Sequence, residues 1–214
     1  MVNRANGRMQ IFDTPGDYQA FENIIERAIE KVKMRVLSYC IMPNHWHLVL
    51  WPYEDGDLSD FMQRLTIMHT QRWNDFHQTC GHVYQGRFKS FPIQANTHYL
   101  NVCRYVEQNA LRAKMVKNAE DWRWGSLWRR QNCKKWVLQD GPVEYPAHWL
   151  KEVNIVPEEK ELTILKTSLL RGRPYGEKDW MRKTAEILGL ASTLRPKGRP
   201  KKRQYTPITI TQSP

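Results

Sequence analysis

Two apolar runs separated by two turn residues restrict the possible folds of this chain more than any other feature. Residues 34–42 (MRVLSYCIM) and 45–51 (HWHLVLW) flank Pro43-Asn44, and runs of this length around such a turn read as a β-hairpin. Both strands read as buried core, yet the second carries two histidines one residue apart. Side chains alternate faces along a strand, so His45 and His47 share one side while Trp46, Leu48 and Leu50 share the other. Two imidazoles a few ångströms apart could hold one divalent cation. At this spacing, without other context, such a pair is more often structural.

Helices flank the hairpin. Thr14-Pro15 supplies a cap and a first-turn proline. Phe21, Ile24, Ile25, Ala28, Ile29 and Val32 then recur at helical spacing to about Lys33. Asp57 caps a second helix, with Asp60 in its first turn and Leu58, Phe61, Leu65, Met68 and Phe76 along one stripe. Residues 83–94 (VYQGRFKSFPIQ) alternate like another strand and present Arg87 and Lys89 on one face. Those cations are either a solvated edge or contacts to phosphate and stacked bases. A third helix is expected from Asn96 or Thr97 to about Lys114. From about Gln131, glycine and proline become frequent, and short helical pieces (158–170, 178–188) sit between breakers. The chain thus divides into a domain at 1–130 and an extension at 131–214.

The charge balance points to a polyanion. The 214 residues hold 33 Lys and Arg against 22 Asp and Glu, a net charge of +11, which favours nucleic acid as partner. Most of the excess lies in 171–203, with 11 Lys and Arg against 3 Asp and Glu. That stretch contains two Gly-Arg-Pro units, centred on Arg173 and Arg199. They resemble minor-groove hooks, although a generic basic tail has the same composition. Cysteines 40, 80, 103 and 133 have no CxxC spacing and read as free thiols in a reducing cytosol. No apolar run reaches the ~20 residues of a membrane span, so no membrane partner is expected.

A metal held by two histidines needs a further ligand, and chemistry on DNA needs a nucleophile. Projected at about 100° per residue, the third helix buries Tyr99, Cys103, Val106 and Ala110. The opposite stripe is His98, Asn101, Tyr105, Gln108, Asn109 and Arg112. A tyrosine with an amide four residues later is a usable pair. Tyr105 could be a nucleophile and the Asn109 carbonyl an oxygen ligand, with Gln108 and His98 as alternatives. His69, His77, His82 and His148 follow no ligand spacing.

At this point the chain resembles a known family. His45-Trp46-His47 is similar to the His-hydrophobic-His motif of HUH endonucleases, and Tyr105 with Asn109 to the tyrosine helix of single-tyrosine transposases. The stretches NRANGRMQIF, MPNHWHLVL, YQGRFKSFPI, RYVEQNALRAKMV and DWRWGSLW, in order over residues 2–130, resemble REP-associated tyrosine transposases. Two departures stand out. Family members usually begin with a further strand before the turn that corresponds to Asn3-Arg4, so either the chain starts inside a longer frame or the sheet lacks a strand beside the histidine strand. The family also often has proline where this chain has Ala110.

The resemblance implies an α+β fold, with an HUH-type antiparallel sheet of about four strands, helices packed on it and a basic, mostly irregular extension. It implies a bacterial, cytoplasmic, nucleoid-associated enzyme that nicks and joins single-stranded or REP-type hairpin DNA through a 5′-phosphotyrosine on Tyr105. The cofactor would be Mg²⁺ or Mn²⁺ held by His45, His47 and Asn109. Arg87, Lys89, Arg112, Arg173 and Arg199 would contact DNA, in a monomer or homodimer. Two rivals are a catalytically silent DNA-binding regulator descended from a transposase and a water-activating metallohydrolase. The latter lacks HExxH or carboxylate companions.

Overall fold

The computed structural model describes residues 1–132, 136–195 and 198. The hairpin forms as the sequence dictates: β2 (Met34–Met42) and β3 (His45–Pro52) pair antiparallel, with Cys40 opposite His47 and Met42 opposite His45. A third strand, β1 (Val2–Arg4), pairs with the other edge of β3 and sets Val2 opposite His47 and Arg4 opposite His45. The sheet order is β1-β3-β2, so the histidine strand is central and its register is held from both sides. Asn3 and Arg4, read from sequence as a turn, are strand, and the place beside the histidine strand is filled.

The expected strand at 83–94 does not form a regular ladder. It lies along the free edge of β1 through isolated bridges, Val2 with Lys89 and Ala5 with Tyr84. Its backbone bonds include Lys89 N–H to Val2 O at 2.8 Å and Gln85 N–H to Arg4 O at 3.0 Å. Among the described residues the antiparallel sheet therefore has three regular strands, with this segment at its edge in place of a fourth. The reason is local: β1 offers only three residues, and Gly86 and the donorless Pro92 interrupt the run.

Helices cover both faces of the sheet. On one side, α1 (Pro15–Lys31) starts where Asp17 Oδ2 accepts from the backbone N–H of Thr14 at 2.9 Å. With α2 (Asp57–His77) it buries Phe21, Ile25, Phe61 and Leu65 against Tyr39, Ile41, Trp46 and Leu48. On the other side, α3 (Thr97–Glu107) packs Tyr99, Val102, Cys103 and Val106 on Leu37, Cys40, Met42 and Val49. Asn96 caps α3 by accepting from His98 N–H at 2.9 Å. A bulge between Val36 and Ser38 turns both Leu37 and Ser38 to this side.

The single helix expected to Lys114 is broken. After Glu107 the chain leaves helical geometry at Gln108 (φ −86°, ψ 8°) and resumes as α4 (Asn109–Arg112). α5 (Ser126–Asn132) starts at the outer edge of β2, where Cys40 bridges to Gly125 and Tyr39 N–H donates to Ser126 Oγ at 3.1 Å. The C-terminal part adds α6 (Trp149–Asn154), α7 (Glu159–Arg171) and α8 (Lys178–Ile187), close to the short helical pieces expected from sequence. Trp149, Val153, Leu165 and Tyr175 join the core beneath α3. Among the described residues no helix is long and apolar enough to cross a membrane, and Cys40, Cys80 and Cys103 are free thiols. Cys133 lies outside the described residues.

Candidate active site

Because β3 alternates, its odd positions at the turn end point towards α3. His45 and His47 stand with ring centroids 5.1 Å apart and planes at 82°. Tyr105, from the last turn of α3, brings its ring to 5.9 Å from that of His47, again edge-on at 83°. Asn109 follows across the break and is buried. These four side chains line one cavity of about 630 Å³.

The electrostatics of that cavity are one-sided. Arg4, Arg87, Lys89, Arg112 and Lys166 line it, and none of its lining residues is acidic. Burial pulls the His45 imidazole down to about 4, helped by the charges of Arg4 and Arg112. His47 is held well below its ordinary value by deeper burial and by His45 beside it. Both rings are therefore neutral at pH 7, with a lone pair each. His45 Nδ1 lies 2.6 Å from Asn44 Oδ1, a bond that needs the proton on Nδ1 and leaves Nε2 as the free acceptor. Arg112 places its guanidinium 4.2 Å over the Tyr105 ring and donates from Nη1 to the Tyr105 carbonyl at 3.3 Å. The phenol is thus oriented from behind by a cation.

A divalent cation fits the donor set only with an amide in it. Among the described residues no group of three or more His, Cys, Asp or Glu side chains could hold a metal. The Asn109 amide, buried in the same cavity, has its nitrogen without a hydrogen-bond partner. Two neutral imidazoles and the Asn109 carbonyl oxygen match the chemistry of a three-donor site with room left for an oxygen ligand.

Of the sequence-expected site residues, the structure brings together His45, His47, Tyr105, Asn109, Arg87, Lys89 and Arg112. Arg173 is not among the cavity's lining residues; it follows the left-handed Gly172 (φ 67°) that ends α7. Arg199 lies outside the described residues. The alternatives for the third ligand separate: Gln108 turns inward, donating to Val153 O at 3.3 Å, and His98 packs on Tyr175. Sequence reasoning missed Arg4, Gln85, Lys166, Leu169 and Leu170, which also line the cavity. Arg4 was findable as the residue two before Asn6-Gly7 had β1 been recognised; nothing local signals Lys166.

A larger groove of about 790 Å³ lies across Gly86 and Arg87, between α2 and the 82–88 segment. It holds one carboxylate, Asp60, and lacks the histidine pair, so chemistry rather than size singles out the smaller cavity. His69 is outside both; it is buried, stacked on Phe12, with Nδ1 2.6 Å from the Tyr84 hydroxyl.

The chain matches the family model of IS200-like transposases over residues 1–109, and it belongs to that family. Its fold is similar to the solved structure of a REP-associated tyrosine transposase bound to a REP hairpin, at 19% identity and a TM-score of 0.52. That match covers 68% of this chain and 86% of the other. No curated protein matches the chain.

Proposed function

We propose that this transposase cuts and rejoins single-stranded or hairpin DNA of the REP type, with Tyr105 as nucleophile. The observation that carries the reading is the Tyr105 phenol set edge-on against His47 in a cavity with five cations and no carboxylate. Such a cavity attracts a phosphodiester and repels little of it. The single strand is favoured because the hydroxyl needs an accessible phosphate with splayed bases.

Tyr105 Oη gives up its proton to solvent and attacks phosphorus, the P–Oη bond forms, and the P–O3′ bond breaks as O3′ takes up a proton. A 3′-OH is released and the 5′-phosphate stays on the tyrosine. Attack by a 3′-OH on the same phosphorus then breaks P–Oη and joins strands without an external energy source. His45, His47 and the Asn109 carbonyl would hold Mg²⁺ or Mn²⁺, which supplies polarisation of the phosphoryl oxygens and charge neutralisation. Arg87, Lys89 and Arg112 hold the phosphate, while Arg173 and Arg199 extend the DNA contact beyond the cavity. Arg112, stacked on the phenol, also keeps Oη directed at the phosphate.

The test is incubation of the protein with an end-labelled imperfect hairpin and Mn²⁺, resolved on a denaturing gel. The wild type is expected to give an SDS-resistant adduct and a nicked strand. Tyr105→Phe keeps the ring and the helix, so it should bind the hairpin and give neither product. An adduct of undiminished yield from Tyr105→Phe overturns the assignment.

A further inference from the structure

The helix α7 lies outside the segment matched to the transposase family, yet it forms a wall of the cavity. Its inner face is seated by Leu162, Leu165 and Ser168, all buried. Glu161 makes an ion pair with Arg104, the residue before Tyr105, so the seat is fastened to the tyrosine helix itself. Leu165 and Leu169 reach a small apolar gap shared with His47, Tyr105 and Val106. One step round the helix, Lys166, Leu169 and Leu170 face the cationic cavity.

Lys166 is unusual for a lysine on a solvated helix. It is exposed and makes no ion pair among the described residues. Its neighbours at three and four positions either way are Leu162, Thr163, Leu169 and Leu170, so no carboxylate is placed to hold it. The α7 acids at 159 and 161 lie at the far end of the helix. Leu170 is 67% exposed at the cavity rim, an apolar group left in water beside an unpaired cation. A cation beside two leucines matches one ligand chemistry well: a nucleotide, with its phosphate on the ammonium and its sugar or base edge on the leucines.

We infer that α7 is a clamp on the cut strand, with Lys166 bound to a backbone phosphate of the single-stranded segment and Leu169 and Leu170 covering the adjacent nucleoside. The inference rests on the strand-cutting reading for the identity of the strand, and it assigns Lys166 a substrate contact, with no proton transfer.

Its test uses the full chain and a fluorescein-labelled imperfect hairpin with a single-stranded flank, titrated over a range of salt concentrations. Lys166→Ala is expected to weaken binding roughly 3- to 10-fold and to lower the salt slope by about 0.7, the share of one phosphate contact on a single strand. Lys166→Arg should restore both, and Leu170→Ala should weaken binding with the slope unchanged. Wild-type affinity and slope in Lys166→Ala overturn the clamp. The two readings fail separately: an adduct from the wild type with unaltered Lys166→Ala binding sinks only the clamp. No adduct from the wild type, with the slope still lowered in Lys166→Ala, sinks only the cutting reaction.

Discussion

The two faces of the sheet share their construction and differ in one respect. Each buries a carboxylate that meets one of two successive arginines of α5. On the α1/α2 side, Glu22 accepts from the Tyr39 hydroxyl at 2.7 Å and pairs with Arg129. On the α3 side, Glu107 accepts from Ser126 Oγ at 2.6 Å and Trp149 Nε1 at 2.8 Å and pairs with Arg130. Arg130 also donates to the Leu37 carbonyl freed at the β2 bulge. The first face is covered to its turn end, where Trp46 is fully buried; the second is left open there, at His45 and His47. Near the turn, β3 thus puts Trp46 and Leu48 into the core and His45 and His47 into the cationic cavity. The aromatic side fixes the register that aims the histidines, since a slip of one residue would exchange the faces.

Adjacent substitutions on β3 break that comparison most sharply. His47→Ala should abolish hairpin cleavage, keep hairpin affinity within a few-fold and shift the melting temperature little. Leu48→Ala, one residue on and fully buried, should cost about 2–5 kcal/mol of stability while cleavage survives below its lowered melting point. Cleavage at the wild-type rate by His47→Ala would put the chemistry elsewhere.

The buried carboxylates separate the faces next. Glu22→Ala and Glu107→Ala should each cost about 3–5 kcal/mol in denaturant unfolding, because each removes the buried carboxylate that a guanidinium of α5 pairs with. Only the second should also lower the cleavage rate of the folded fraction, since Glu107 anchors the helix break between Tyr105 and Asn109 to Ser38 of β2, at 3.3 Å. Equal cleavage rates in the two folded variants would dissolve that distinction.

A smaller effect comes from acid. Burial depresses His69 to about 3 and His45 to about 4, against ~6.5 in the unfolded chain. As pH falls below about 6.5 the unfolded state takes up protons that the folded state refuses, so stability declines from there towards pH 4. Melting temperature against pH should fall over this window, and His69→Gln should flatten the slope. A melting temperature that rises on acidification would contradict the neutral, buried imidazoles.

What could be read from sequence follows from range. The hairpin, α1 and α2 depend on local periodicity, and the same-face placement of His45 and His47 needs only the pleat. The meeting of Tyr105 and Asn109 at one cavity was expected from an unbroken helix; the structure reaches it through a break at Gln108. That break belongs to Glu107, whose partners Ser38, Ser126, Arg130 and Trp149 come from three separate stretches of chain, β2, α5 and α6. Periodicity carries no trace of such a network. Lys166 was invisible for the same reason: its role depends on how α7 docks, through Glu161 on Arg104 and Leu165 in the core. The strand expected at 83–94 failed because alternation says nothing of the length of the partner edge.

The central claim is that the histidine face holds the nucleophile, and the most direct measurement is the mass of the trapped adduct. Wild-type protein reacted with the hairpin and Mn²⁺, digested with nuclease and protease, should yield one nucleotide-bearing peptide with the phosphate on Tyr105. A modified peptide carrying the phosphate on Tyr99, Tyr84 or any other residue would contradict the account.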